Sequence, residues 1–153
     1  MGVSTNGQIC FGVLCEEGQE FPWDEYDGEE EWWLKICAFK PSLQVYDLHG
    51  NRLPGITEAQ CDKYWEEKRA FAEAHPLPVE LVNYCSGDYP MYILAAKDTC
   101  QSASRGNAEE FAPAKLTVTP EQTEQLLDFC RKHIEWEGGN PPEPKWYLSS
   151  YWG

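Results

Sequence analysis

The sequence predicts an α+β fold, with a mostly antiparallel sheet of about five to six strands and two amphipathic helices on one face of it. Three observations predict this class: short apolar segments typical of strands, a central pair of such segments around a tight turn, and two segments with helical periodicity behind capping signals. The chain has 153 residues, of which 42% are hydrophobic and 14% aromatic. We therefore expect a single folded domain, residues 1–153.

Three predicted strands lie in the first third of the chain: residues 8–15, residues 31–39 and residues 42–48. In the first two, apolar and aromatic side chains recur at alternate positions, which is the period of a strand with a buried face. A turn with two glycines and a proline follows the third. If the first two strands pair, residues 16–31 connect them as an irregular acidic loop.

Two predicted helices begin at capping boxes. Thr57 with Gln60 opens the first helix, and Thr119 with Gln122 opens the second. Apolar residues recur at three- and four-residue steps behind both caps. The buried stripe of the second helix is predicted to consist of Leu126, Leu127, Cys130 and Ile134.

The segment between these helices predicts a β-hairpin. Residues 79–85 and residues 91–96 are apolar and flank the turn sequence Ser-Gly-Asp-Tyr-Pro. Residues 115–119 predict one more strand, and residues 138–153 form a C-terminal tail rich in proline and aromatic residues. The tail either straps onto the protein's own core or anchors a partner through Trp146, Tyr147, Tyr151 and Trp152.

The charge of the chain is strongly negative and uneven. Its formal net charge is −14, from 26 acidic and 12 basic residues. Nine of the acids lie in residues 1–34, where Lys and Arg are absent. Such a field repels nucleic acids and anionic membranes and attracts basic surfaces, so it argues against direct binding to either of the first two. No apolar run approaches the 18 residues of a membrane span, and we expect a soluble protein.

Cysteine and histidine give no catalytic or metal-binding pattern. The seven cysteines form an odd set without a C-x-x-C pair, which favours reduced thiols in the cytosol. His49, His75 and His133 stand apart from one another along the chain, and the cysteines lie on or next to predicted strand and helix faces, where burial explains them. The calcium-loop and phosphate-loop motifs are missing, and no histidine neighbours Cys85. We therefore predict no metal, no cofactor and no catalytic residue.

The acidic loop at residues 16–31 is the strongest functional candidate. Like charges at this density repel one another unless something basic binds, and carboxylates can replace DNA phosphates as partners for Lys and Arg. Aromatic neighbours could act as anchors. The alternative is a solvated loop that keeps a small protein soluble. The predicted partner-binding residues are Glu16, Glu17, Glu20, Trp23, Asp24, Glu25, Tyr26, Asp27, Glu29, Glu30, Glu31 and Trp32.

Two stretches resemble a known group of proteins. The opening Met-Gly-Val-Ser-Thr-Asn-Gly, followed by a short apolar strand and an acidic loop with tryptophan, is similar to the start of small uncharacterised proteins from tailed bacteriophages. The hairpin sequence of residues 83–95 is similar to theirs as well. The resemblance implies expression in the cytoplasm of an infected bacterial host. It also implies a role among the small phage proteins that block host defences, of which acidic examples often mimic DNA.

These observations favour one function and leave two alternatives open. The first is a non-catalytic DNA mimic that inhibits a host nucleic-acid-handling defence protein, of anti-CRISPR or anti-restriction type, by binding its basic surface. The second is a small-molecule or nucleotide-binding protein or enzyme with a pocket between sheet and helix. The third is a minor component of the virion.

Overall fold

The computed structural model describes residues 5–152. Residues 1–4, which open the phage-like motif, lie outside this range. The described chain confirms the α+β class with five strands and three α-helices. The strands are β1 (Thr5–Leu14), β2 (Val79–Ser86), β3 (Pro90–Ala96), β4 (Gln101–Ala103) and β5 (Lys145–Trp152). The helices are α1 (Glu29–Ile36), α2 (Glu58–Ala74) and α3 (Pro120–His133), and a 3₁₀ turn covers Pro113–Lys115.

Contacts divide the chain into two compact units, each described by itself below. The sheet unit comprises Met1–Pro22 and Pro78–Gly153, and the inserted unit comprises Trp23–Leu77. All five strands and α3 belong to the sheet unit, while α1 and α2 belong to the inserted unit. That the chain is one domain stays a prediction.

The sheet unit is built around the pairing of β1 with β5. The strand order is β3-β2-β5-β1-β4, and all pairs are antiparallel except β2 with β5, which run parallel. The last residues of β1, Gly12–Leu14, also pair with Ala95–Ile93 of β3. The pairings β1–β5–β2–β3 therefore close into a ring, and β4 adds to the other half of β1.

Apolar side chains fill both sides of this sheet. Cys10, Val82, Ile93 and Ala95 form one buried cluster, against which Tyr84, Cys100 and Tyr147 pack. Helix α3 packs against β2 and β3 and buries Leu126, Phe129 and Cys130. Its capping box is formed as predicted, because Thr119 accepts a hydrogen bond from the Gln122 N–H and the Gln122 side chain accepts one from the Thr119 N–H.

The inserted unit has an aromatic core. Trp23 and Trp32 meet edge to face with ring centroids 5.4 Å apart, and Phe39 lies 5.2 Å from Phe71 of α2. The capping box of α2 is formed as predicted between Thr57 and Gln60. The Trp33 indole donates to the carbonyl of His75 at 3.1 Å, which ties α1 to the C-terminal end of α2.

The predicted strand at residues 31–39 is wrong, because these residues form most of α1. A strand here would bury the alternating residues Trp32, Leu34, Ile36 and Ala38. Only Trp32 and Leu34 are buried, and Ile36 is 48% exposed. Glu29, Glu30 and Glu31 lie in the first turn of the helix and Lys35 in the last. Charges in this arrangement complement the helix dipole and favour a helix over the strand that side-chain alternation suggests.

The predicted strand at residues 42–48 is also wrong, and only a single bridge joins Tyr46 to Arg52. The backbone donor at Ser42 is satisfied by the Glu67 carboxylate at 2.8 Å. Asp47 accepts from the N–H groups of His49 and Asn51, both at 2.8 Å, and so fixes the turn. Side chains thus take the place of a strand partner.

Of the remaining strand predictions, some are confirmed and one is wrong. The hairpin of β2 and β3 is confirmed, with Val79 opposite Ala96 and Cys85 opposite Pro90. The strand at residues 115–119 is wrong, because Lys115 belongs to the 3₁₀ turn and Thr119 is the N-cap of α3. The prediction missed β4, and half of the expected C-terminal tail of residues 138–153 is β5. We predicted two helices on one face of the sheet, and the structure has three. Helix α3 packs on the sheet, while α1 and α2 lie in the inserted unit.

Candidate functional site

The nine carboxylates of residues 16–31 are divided between the two units. Glu16, Glu17 and Glu20 belong to the sheet unit and the other six to the inserted unit. Glu29 and Glu31 are half-buried, and seven carboxylates are exposed: Glu16, Glu17, Glu20, Asp24, Glu25, Asp27 and Glu30. The acidic stretch therefore offers most of its charge to solvent, as a binding surface for a basic partner requires.

The inserted unit concentrates this charge around the start of α1. A series of turns over residues 22–27 carries Asp24, Glu25 and Asp27, and α1 begins two residues later. Throughout residues 5–152, no Lys, Arg or His forms an ion pair with Glu25, Asp27 or Glu30. These carboxylates are left to solvent or to a binding partner.

Glu31 differs because it has an internal partner. Its carboxylate pairs with the ammonium of Lys68 on α2, whose side chain is only 14% exposed. Lys68 also lies 4.9 Å from the ring centroid of Trp65, a cation–π distance. We therefore assign Glu31 mainly a structural role, in which it holds α1 against α2.

A cavity of about 560 Å³ opens beside this pair. Glu30 and Glu73 line it together with Lys68, Arg69 and the indole of Trp65, which is 46% exposed. The Lys68 ammonium already lies over the Trp65 ring, so the groups that the cavity offers to a guanidinium are the two carboxylates, which can form charge-assisted hydrogen bonds with it. The helical period of α2 predicts Trp65 in the apolar stripe of that helix, so the sequence does not predict its exposure.

The aromatic residues of the predicted site do not behave alike. Trp23 and Trp32 are buried in the core of the inserted unit, with 5% and 4% exposure, and we leave them out of the contact surface. Tyr26 is 36% exposed. Its hydroxyl accepts a hydrogen bond from the Lys35 ammonium at 3.0 Å. The same ammonium lies 5.0 Å from the centroid of the Tyr26 ring. Tyr26 thus remains an accessible aromatic within the acidic stretch.

The C-terminal aromatics serve the sheet unit in two ways. Trp146 packs edge to face on Phe11 with centroids 5.5 Å apart, so this part straps onto the core. Trp152 is 57% exposed, and Leu148 of the same strand is 80% exposed. Leu148 lines two shallow apolar cavities, of about 510 and 930 Å³. This strand therefore combines packing with an open apolar surface.

Burial and hydrogen bonding shift the pKa values of several thiols. Burial raises the pKa of Cys15 and of Cys130 to about 12 each. Cys10 and Cys100 form a hydrogen-bonded pair that lowers the pKa of Cys10 and raises that of Cys100. Burial lowers the pKa of His133. Within residues 5–152, no three His, Cys, Asp or Glu side chains gather as metal ligands would.

The described helices are all too short or too polar to cross a membrane. Comparison of the chain with protein-family models, with curated proteins and with solved structures found no match.

Proposed function

We propose that the protein is a non-catalytic phage inhibitor that binds the basic surface of a host nucleic-acid-handling defence protein, of anti-CRISPR or anti-restriction type, in the host cytoplasm. The observation that carries this proposal is the set of seven exposed carboxylates between Glu16 and Glu30. They present acceptor groups to a surface that otherwise binds DNA phosphates, and the protein competes for that surface.

The cavity beside Trp65 supports a specific contact within this general attraction. A partner arginine that enters it would meet the carboxylates of Glu30 and Glu73 beside the indole of Trp65, over which Lys68 lies. Tryptophan and arginine are the residues most often found at energetic hot spots of interfaces. The exposed carboxylates would then accelerate and orient the encounter, while the cavity would slow dissociation.

A pair of charge variants tests the proposal. The loop variant carries E16Q, E17Q, E20Q, E25Q, D27N and E30Q. The control variant carries D62N, E66Q, D88N, E135Q, E137Q and E143Q, all at exposed positions outside the acidic stretch. Each set removes six negative charges and takes the formal net charge from −14 to −8. Any difference between the two variants therefore reports where the charge lies.

The measurement is capture of proteins from bacterial lysate by the immobilised variants, followed by elution with duplex DNA. We expect the wild-type and control proteins to retain nucleic-acid-binding proteins that the duplex displaces. The loop variant should lose them. Capture that the duplex fails to displace, or equal loss in both variants, would contradict DNA mimicry by the acidic stretch.

A further inference from the structure

A polar cavity lies in the sheet unit, apart from the acidic stretch. Four strands surround a cavity of about 300 Å³. Asn6 and Gln8 come from β1, Asn83 from β2 and Tyr151 from β5, while Ser102 of β4 and the following Ser104 complete its polar lining. Every one of these side chains is uncharged, in a protein with a quarter of its residues charged.

The strand register explains why these side chains converge. Asn6 and Gln8 are two residues apart on β1 and so share one face of the sheet. Tyr151 pairs with Asn6 across the β1–β5 ladder, and Ser102 pairs with Gln8 across the β1–β4 ladder. Residues directly opposite in antiparallel strands point to the same side. The polar groups therefore face one another around the cavity.

Hydrogen bonds hold part of this lining in place. The Gln8 side-chain amide donates to the carbonyl of Asn83 at 2.7 Å. The Asn6 side-chain oxygen accepts a hydrogen bond from the backbone N–H of Arg105 at 3.3 Å, and this bond holds the Asn6 amide in place. A site whose side chains are fixed before binding loses less entropy when a ligand arrives.

Two buried polar atoms at this place have no partner. The side-chain oxygen Oδ1 of Asn83 and the hydroxyl Oγ of Ser149 are inaccessible and make no hydrogen bond with any described residue. Ser149 pairs with Gln8 and so belongs to the same face. Native proteins seldom leave buried polar atoms unsatisfied, because such an atom has lost its hydrogen bonds to water and gained none in return. Of the two residues only Asn83 lines the cavity, and a donor group bound there would satisfy its Oδ1 once the amide turns toward the cavity.

We propose that this cavity binds an uncharged nucleobase or nucleoside. Carboxamides match the alternating donors and acceptors of a base edge, and hydroxyl groups match a ribose. Tyr151 adds an aromatic ring of the kind on which bases stack. The lining side chains include no Lys or Arg for a phosphate, and the negative field of the protein repels anions. The site thus favours nucleosides over nucleotides.

Calorimetric titration of the full chain tests this specificity. The probes are adenosine, guanosine, cytidine and uridine, their 5′-monophosphates, and glucose as an uncharged ligand without a base. We expect at least one nucleoside to bind with a dissociation constant below about 1 mM, and its monophosphate to bind at least about tenfold more weakly. Absence of binding by all four nucleosides, or equal binding of glucose, would overturn the proposal.

Variants locate the binding. N83A should raise the dissociation constant of the nucleoside at least about tenfold. Y151F and S102A should raise it less, since each removes a single hydroxyl. The control is N107A, at an exposed asparagine outside the cavity. If N83A fails to fold, Y151F and S102A decide the question. Wild-type affinity in the folded cavity variants would overturn the proposal and leave the proposed inhibitor function untouched, because the acidic stretch takes no part in this site.

Discussion

Gly12 shows how a single residue determines the path of the sheet. A Cβ atom at this position would lie 2.5 Å from the carbonyl oxygen of Leu94 and 2.9 Å from the Cα of Ala95. Both are backbone atoms of β3, so a small side-chain movement cannot make room. The absence of a side chain lets β1 approach β3 and close the ring of pairings.

Substitution of Gly12 tests that conclusion. G12A should destabilise the sheet unit by about 1–3 kcal/mol, the usual cost of inserting an atom into a filled space. G7A is the matched control, because a Cβ on Gly7 of the same strand would meet nothing within 4 Å. Urea denaturation measures both. An equal effect of the two substitutions would mean that the close approach of β1 to β3 is not required.

The buried thiols predict a loss of stability at alkaline pH. Because the pKa values of Cys15 and Cys130 are raised to about 12, both thiols keep their protons in the folded state after they lose them in the unfolded chain. Their stabilising contribution is complete below pH 9 and falls between about pH 9 and 12. Each thiol adds about 1.4 kcal/mol per pH unit to that fall.

The measurement is the free energy of unfolding from urea titrations between pH 8 and about pH 11. Tyrosine and lysine also titrate there, so the comparison is with C15V/C130V, which lacks both thiols. The double variant should lose stability less steeply with pH than the wild type. Equal slopes would show that these thiols ionise as readily in the folded protein as in the unfolded chain.

At the scale of elements, the helices with local signals were predictable and the irregular strands were not. Both capping boxes lie within four consecutive residues, and both form as expected. The strand patterns at residues 31–39 and 115–119 failed because neighbouring signals prevailed: glutamates at a helix N-terminus in one case, a 3₁₀ turn and a helix cap in the other. The alternation of apolar side chains, taken alone, does not reveal these competing helix and turn signals.

The cap of α3 gives a prediction at this scale. T119A removes the hydroxyl that accepts from the Gln122 N–H at 3.1 Å, and it should destabilise the sheet unit by about 1 kcal/mol. T117A is the control, at an exposed threonine two residues earlier without a capping role. Thermal unfolding followed by circular dichroism compares them. A cap that contributes nothing would give both variants the same midpoint.

For the whole molecule, the sequence identified the charge but not the cavities. The exposed acids of residues 16–31 were visible because they are contiguous. The cavity lined by Asn6, Asn83 and Tyr151 assembles residues up to 145 positions apart, and only the sheet register brings them together. Trp65 was hidden for another reason, since the 3.6-residue period predicts which residues share a face but not how much of that face is covered.

The net charge predicts that salt stabilises the protein. Like charges at −14 repel one another in the compact state, and ions screen this repulsion. The urea midpoint should therefore rise between about 10 mM and 200 mM sodium chloride. The loop variant should be more stable than the control variant at low salt, because the six charges that it removes are closer together along the chain. A midpoint independent of salt would mean that self-repulsion is negligible.

The central position of β5 has a consequence for how the chain is made. Strand β1 ends at Leu14 and its main partner begins at Lys145. At ribosomal speeds of about 5–20 residues per second, β1 waits roughly 7–30 s for that partner. During this interval the edge of β1 that pairs with β5 stays open, and open edges of apolar strands are prone to aggregate. The acidic stretch emerges directly behind it, where charged residues act as gatekeepers against wrong pairing. We therefore expect nascent chains halted before residue 145 to aggregate more when they carry the loop variant than when they carry the control variant.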